Sequence, residues 1–212
     1  MHKHKETYRG YQIEVLQDTH PSNPRTSWDN LGTFYSRYGE ANFSDINQGD
    51  IQSTLNWLDA NEYIYRVVYG HSHGGVTIRT SAPFGCQFDS GIAGIIAVSK
   101  DKVRTEYGWK NITKERHNQI LKYLDGEIET QDDYLTGNVW GYDVTKDGED
   151  IASCWGYFGD YDNDDYGPIT EAKSVIDYGI KTAYKDHIER AKAWIKNRVP
   201  LIYRQTLSIN SL

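Results

Sequence analysis

Residues 138–160, NVWGYDVTKDGEDIASCWGYFGD, constrain the fold of this chain more than any other stretch. Apolar and polar side chains alternate on both sides of Lys146-Asp147-Gly148, and a period of two is typical of half-buried strands. Turn-forming residues between two such runs favour a tight connection. The pattern therefore predicts a β-hairpin, which requires antiparallel pairing.

The rest of the chain alternates between strand and helix patterns. Strands are predicted at 8–18, 63–70, 76–81 and 92–100, and helices at 50–60, 101–108, 113–126 and 170–197. Thr113 is the expected N-cap of the third helix, and Gly126 is expected to end it. Because strands and helices are interspersed without βαβ regularity, we expect an α+β fold with a mainly antiparallel sheet, flanking helices and a long C-terminal helix.

The last predicted helix has two distinct faces. Its apolar face comprises Ala172, Ile176, Ile180, Ala183, Tyr184, Ile188, Ala191 and Ile195. Four lysines fall together on another face: Lys181, Lys185, Lys192 and Lys196. We expect a core domain at 1–167 and, at 168–212, a helix and tail that pack on this core or extend from it.

Cysteine usage and hydropathy point to the interior of a cell. Cys86 and Cys154 are the only cysteines, and they form no CxxC pair, which favours a reducing compartment. No apolar run approaches the ~18 residues that a membrane helix needs. We therefore expect a soluble, cytoplasmic protein.

The acidic residues are concentrated in one segment. Residues 121–167 carry 13 acidic and two basic side chains, whereas residues 168–212 carry four acidic and eight basic ones. An acidic segment of this density is either a solvated surface or a binding surface for a basic partner, including one that normally binds nucleic-acid phosphates.

Three ordered blocks give the sequence a recognisable pattern. The first is PRTSWDNLGT at 24–33 followed by RYG at 37–39, the second is HSHGGVTIRTSAPFGCQFDSGIAGIIAVSKDKVRTEYG at 71–108, and the third is EIETQDDYLTGNVWGYDV at 127–144 with SCWGYFGD at 153–160. Together they resemble a family of uncharacterised proteins carried by phages, prophages and plasmids. The resemblance implies an accessory protein of a mobile element, made in a bacterial host.

The chain departs from that family in the second block. The family often has Asp-His-Ser-Gly where this chain has GHSHGG at 70–75, and Cys-Pro-Trp-Asp-Ser where this chain has CQFDS at 86–90. The resemblance supplies no catalytic residue.

The opening loop contains the first group of candidate binding residues: Arg25, Trp28, Asp29 and Asn30. In a structural interpretation, Asp29 and Asn30 form Asx-turns, Trp28 fills the core and Arg25 pairs with Asp29 or Asp89. In a functional interpretation, the same loop presents Arg25 and Trp28 to a partner.

His71, His73, Cys86, Asp89 and Cys154 form the second group. His-x-His with a nearby cysteine is compatible with a Zn²⁺ site, and a cysteine beside a histidine is compatible with a thiol hydrolase. The alternative interpretation is that both thiols are packed and that the histidines are ordinary turn residues.

The segment DYDNDDYGPITE at 160–171 forms the third group. Asp160, Asp162 and Asp164 occupy positions 1, 3 and 5 of a calcium-type loop, and Glu171 occupies position 12. Position 6 is Asp165 instead of the usual glycine. The segment is interpreted either as a Ca²⁺ loop or as an acidic turn at the start of the last helix.

These patterns favour a non-enzymatic binding protein of a mobile element that inhibits a host defence complex, such as a CRISPR system. The partner would be a host protein or ribonucleoprotein complex, contacted through exposed tyrosines and carboxylates that include Asp160, Asp162, Asp164 and Asp165. Direct nucleic-acid binding by the lysine face is less favoured, and that face could equally pair with the acidic segment, in this chain or in a second copy. The alternative function is a small metal-dependent or cysteine hydrolase that uses His71, His73, Cys86 and Asp89.

Overall fold

The computed structural model describes residues 2–36, 43–47, 50–85, 88–163, 165–200 and 203. The strands in these ranges are β1 His2–Tyr8, β2 Tyr11–Gln17, β3 Thr33–Ser36, β4 Ile46–Asn47, β5 Tyr63–Ser72, β6 Val76–Arg79, β7 Ser90–Ser99, β8 Val139–Lys146 and β9 Glu149–Phe158. The helices are α1 Pro24–Ser27, α2 Ile51–Ala60, α3 Lys100–Tyr107, α4 Lys114–Thr136 and α5 Pro168–Arg198.

Two sheets contain these strands, in the orders β1-β2-β8-β9 and β4-β3-β7-β5-β6. Strand β3 is parallel to β4 but antiparallel to β7, and β5 is antiparallel to both β6 and β7. The predicted α+β fold with a mainly antiparallel sheet and a long C-terminal helix is confirmed. Strand β7 lies in the middle of its sheet, as its continuous apolar run predicts.

Two-residue turns of the same kind connect β1 to β2 and β8 to β9. Asp147 and Gly148 have φ values of 51° and 87°, which suit the type I′ turn of a tight hairpin, so the predicted hairpin is confirmed. Arg9 and Gly10 have φ values of 50° and 81°. The prediction of one strand over 8–18 is therefore wrong at its start, because these two residues form a turn and a further strand precedes it.

The chain divides into two compact units: Met1–Leu16, Tyr142–Cys154 and Asp162–Leu212 form the first, and Gln17–Gly141 with Trp155–Tyr161 forms the second. The second unit contains the five-stranded sheet. Successive residues of β7 point to opposite faces of that sheet. Ile96 lies in the buried cluster that includes Leu124 of α4, whereas Ile95 packs with Leu58 of α2. Helices therefore cover both faces of this sheet.

Helix α4 is longer than its sequence pattern predicts. Thr113 caps it by accepting a hydrogen bond from the Arg116 N–H, as expected, but the helix continues through Gly126 and ends at Gly137 in the left-handed conformation. A glycine inside a helix costs only ~1 kcal/mol. Burial of Ile120 and Ile128 on either side of Gly126 outweighs that cost.

Helix α5 belongs to the first unit and is fixed near its start. The Tyr8 hydroxyl donates to Asp177 at 3.1 Å, and the Arg9 Nε lies 3.0 Å from the same carboxylate. Ala172 and Ile176 are buried, but the predicted apolar face is only half-buried or exposed from Ile180 onward. No helix in the described ranges has both the length and the apolar character needed to cross a membrane.

Candidate functional site

Arg25 lies at the centre of a buried hydrogen-bond network. Its side chain is 1% exposed, and its Nε donates to Asp45 Oδ1 at 3.0 Å. Its Nη1 donates to Glu127 Oε2 at 2.7 Å, and its Nη2 donates to the Gly32 carbonyl at 2.6 Å and to Asp45 Oδ2. Burial lowers the pKa of Arg25, but these two carboxylates outweigh it and hold the pKa above its usual value. The guanidinium is therefore a structural cation.

The two carboxylates also hold neighbouring backbone. Glu127 Oε1 accepts the N–H groups of Leu31 at 2.8 Å and Gly32 at 3.1 Å, and Asp45 Oδ2 accepts the Phe34 N–H at 2.7 Å. The loop is thus fixed to α4 and to the start of β3. The predicted partners of Arg25, Asp29 or Asp89, are wrong: both carboxylates that pair with it are distant in sequence and carry no motif.

The other candidate residues of the opening loop have different environments. Asn30 Nδ2 donates to the carbonyls of Pro24 at 2.8 Å and Trp28 at 3.1 Å, so its role is structural. Trp28 is 48% exposed and meets Phe158 edge-on with ring centroids 5.0 Å apart. The prediction that Trp28 fills the core is therefore wrong. Asp29 is exposed.

The two histidines lie together at the β5–β6 turn. His71 Nδ1 is 3.0 Å from the Ser90 hydroxyl, and His73 Nδ1 is 3.4 Å from Asp89 Oδ2. The imidazole rings stack with centroids 6.2 Å apart. A cleft of about 400 Å³ adjoins them, lined also by 74–77 and 135–136. The structure thus brings together His71, His73 and Asp89 as the sequence grouping predicted.

The remaining members of that group are not assembled with the histidines by any described contact. Cys86 lies outside the described residues. Cys154 is exposed on β9, so the interpretation of this thiol as a packed core residue is wrong. Within the described ranges, no three His, Cys, Asp or Glu side chains are grouped so that they could hold a metal ion.

Several carboxylates of the acidic segment form hydrogen bonds within the second unit. Asp125 accepts from Arg66 Nε at 3.0 Å and from the Thr80 hydroxyl at 2.6 Å. Asp132 Oδ1 accepts from the Thr77 hydroxyl at 2.8 Å and from the Ile78 N–H at 2.7 Å. These α4 carboxylates attach the helix to the sheet.

The acidic turn before α5 is exposed and internally ordered. Asn163 Oδ1 accepts the N–H groups of Asp165 at 2.9 Å and Tyr166 at 3.1 Å, and the Asn163 carbonyl accepts the Gly167 N–H at 3.0 Å. Gly167 is the N-cap of α5. Tyr166 in this turn is 84% exposed to solvent.

The predicted cation-loop residues are distributed along this turn. Asp160, Asp162 and Asp165 are exposed, Asp164 lies outside the described residues, and Glu171 is exposed in the first turn of α5. Asn163 lies between the predicted ligand positions 3 and 5, and its side-chain oxygen is occupied by backbone donors. Calcium binding stays a prediction.

The sequence patterns missed two features of the structure. The exposure of Tyr166 was not predicted, because no sequence pattern shows which of the 17 tyrosines is exposed. The pairing of Arg25 with Asp45 and Glu127 was missed because it spans 20 and 102 residues.

Comparisons of this chain with protein-family models, with curated proteins and with solved structures found no match. The function of the chain is therefore inferred from its own residues and from the resemblance of its three sequence blocks.

Proposed function

We propose that this protein is a non-enzymatic binding protein of a bacterial mobile element, and that it inhibits a host defence complex by attaching to a basic surface of that complex. The nearly full exposure of Tyr166 on an ordered acidic turn is the observation that carries this proposal. The resemblance of the three sequence blocks to proteins of phages, prophages and plasmids supports the cellular setting.

Tyr166 has the properties of an interface anchor. Tyrosine is enriched among the residues that dominate binding energy, because it offers a large apolar ring and a hydroxyl with few rotatable bonds. The hydrogen bonds from Asp165, Tyr166 and Gly167 to Asn163 already fix the backbone. Less conformational entropy is then lost when a partner binds.

The carboxylates near Tyr166 indicate which kind of partner surface would bind this turn. Asp162 and Asp165 are both exposed, and neither side chain is engaged in a described salt bridge. An aromatic ring on the same turn as two exposed carboxylates suits a partner surface that combines an apolar pocket with lysine or arginine side chains. Host proteins that bind nucleic acid commonly carry such basic surfaces.

The test is an affinity capture from a bacterial lysate, followed by an activity assay of the captured complex. We expect wild-type protein to retain one host complex and to inhibit it. Tyr166→Ala should weaken capture by at least about tenfold, which corresponds to the loss of one hot-spot residue. Asp162→Asn with Asp165→Asn should weaken capture mainly at low salt.

Tyr178→Ala is the matched control, because Tyr178 is also strongly exposed but lies on α5 outside the turn. It should bind as wild type does. Equal capture by the Tyr166 and Tyr178 variants would refute the role of the turn, and capture without inhibition would refute the inhibitor function.

One observation favours a second candidate, a small hydrolase. His73 lies beside Asp89 and His71 beside Ser90, at the mouth of a cleft of about 400 Å³. A histidine oriented by a carboxylate can act as a general base. Hydrolysis of a panel of ester and amide substrates that is lost in His73→Ala and Cys86→Ala variants would support this function, whereas unchanged biological activity in both variants would exclude it.

A further inference from the structure

The second half of α5, residues 180–198, carries an incompletely covered apolar stripe beside a row of lysines. At 100° per residue, Ile180, Tyr184, Ile188, Ala191 and Ile195 share one side of the helix. Lys181, Lys185, Lys192 and Lys196 border that stripe along one edge. The half-helix contains six basic and two acidic side chains, a net charge of +4.

This half-helix is poorly suited to pair with the same helix of another copy. In an antiparallel pair related by a two-fold axis, the same edge of both helices meets. The lysine edges would then face each other, and like charges at this spacing destabilise a contact. An acidic surface with some apolar area is the better complement.

The turn end of the β8–β9 hairpin, residues 142–154, provides such a surface in the same unit of the chain. It has four acidic side chains and one basic one, a net charge of −3. A groove of about 270 Å³ is lined there by Asp143, Asp150 and 151–153. Ile151 in this groove is 50% exposed, so the surface is apolar as well as acidic.

The carboxylates of this surface repel one another. Burial, followed by the nearby charges of Asp150 and Glu14, raises the pKa of Asp143. Lys5 compensates Glu14 by a direct ion pair. In the described part of the chain, no salt bridge compensates Asp143 or Asp150. A cation placed in the groove would relieve this repulsion.

We infer that the protein forms a two-fold dimer in which residues 180–198 of each copy dock on the hairpin surface of the other, with the lysine row facing Asp143, Asp150 and Glu149. Each copy offers both surfaces, and under two-fold symmetry the two helix-to-hairpin contacts are equivalent, so the assembly closes at two copies. This dimer surface does not include Tyr166.

The test is a charge exchange between two variants of the full chain, measured by sedimentation equilibrium. One variant carries Lys181→Glu and Lys185→Glu, and the other carries Glu149→Lys and Asp150→Lys. All four side chains are exposed in the protomer. Wild type should be dimeric, with a dissociation constant that rises at least about tenfold between ~50 mM and ~500 mM salt.

Each variant alone should be monomeric, because like charges then meet at both contacts. An equimolar mixture should restore the dimer. One contact then joins the acidic helix of the first variant to the basic hairpin of the second, and the other joins the unchanged lysine helix of the second to the unchanged acidic hairpin of the first. Restoration also shows that both variants are folded. Lys110→Glu with Lys114→Glu, exposed lysines of the second unit, is the matched control and should remain dimeric.

Two results would overturn the inference. The first is a wild-type monomer at every salt concentration, and the second is a variant mixture that stays monomeric. If that wild-type monomer also shifts a double-stranded oligonucleotide through Lys181 and Lys185, the lysine row binds nucleic acid instead.

Discussion

The guanidinium of Arg25 and the carboxylate of Glu127 lie 2.7 Å apart, although 102 residues separate them in the sequence. This contact joins the opening loop to the middle of α4. Glu127 simultaneously accepts the Leu31 and Gly32 N–H groups. This ion pair therefore helps to position the opening loop, although the sequence pattern predicted a different partner for Arg25.

Arg25→Ala should reduce the free energy of unfolding by ~3–5 kcal/mol, because it leaves the carboxylates of Asp45 and Glu127 without their shared cation. Urea denaturation at pH 7 measures the loss. Arg104→Ala is the control, since Arg104 forms only an exposed pair with Asp101 and should change the free energy by less than ~1 kcal/mol. Equal effects of the two substitutions would contradict the structural role of Arg25.

Asp132→Ala should reduce the free energy of unfolding by ~1–3 kcal/mol. The substitution removes the acceptor of the Ile78 N–H and the Thr77 hydroxyl, and an unsatisfied donor in a partly buried site costs that amount. Asp132→Asn should cost less, because its amide oxygen can still accept. Hydrogen exchange of the Ile78 amide would locate the effect, and unchanged protection in Asp132→Ala would contradict it.

Gly94 and Gly126 should respond oppositely to alanine. A Cβ at Gly94 would collide with the Tyr35 carbonyl and lie 2.8 Å from the Phe34 ring, so Gly94→Ala should destabilise by ~2 kcal/mol or more. A Cβ at Gly126 meets no atom within 4 Å. Gly126→Ala should therefore stabilise α4 by ~0.5–1 kcal/mol, the usual gain from removing a helical glycine. Thermal unfolding of both variants provides the measurement, and a shift of equal sign would contradict it.

The contribution of Asp133 to the free energy of folding should be less favourable at neutral pH than at acid pH. Burial, which outweighs the hydrogen bond from Asn138, raises the pKa of Asp133 above 3.8, and the charges of Asp132, Asp160 and Glu129 add to the shift. The folded state holds this proton more tightly than the unfolded chain does. Stability from this group is thus lost as pH rises from 3.8 through the raised pKa.

Asp133→Asn should accordingly stabilise the protein at pH 7 by up to ~1 kcal/mol, a modest amount because the carboxylate is partly solvated. The gain should shrink as pH falls through the raised pKa of Asp133 and should be lost below 3.8, where the Asp133 carboxyl is protonated in both the folded and the unfolded state. Unfolding free energies at a series of pH values, with Asp186→Asn on α5 as the exposed control, test this. A gain that is independent of pH would show that charge is not its cause.

Local patterns predicted the elements whose causes are themselves local. The hairpin followed from alternation around Asp147 and Gly148, and the start of α4 followed from the Thr113 cap. In contrast, Gly126 was a misleading stop signal. A glycine weakens a helix by a small amount, and the burial of apolar residues on both sides of it is a larger effect that the local pattern does not reveal.

The candidate site was predictable only in part for the same reason. The sequence predicted the grouping of His71, His73 and Asp89 because the histidines are two residues apart. The pairing of β5 with β7 then places Asp89 beside them. The number of acidic side chains identified the acidic segment. That number does not distinguish carboxylates that bind the sheet, such as Asp125 and Asp132, from carboxylates that face solvent, such as Asp162 and Asp165.

The sequence by itself determined the fold class, the hairpin, the cap of α4 and the amphipathic face of α5, because each depends on residues within a few positions of one another. Only the tertiary structure decided that Arg25 is enclosed by Asp45 and Glu127, that Trp28 and Cys154 are exposed, and that Tyr166 projects into solvent. Burial and ion pairing between distant segments depend on how the whole chain packs. A local sequence pattern therefore does not predict that packing.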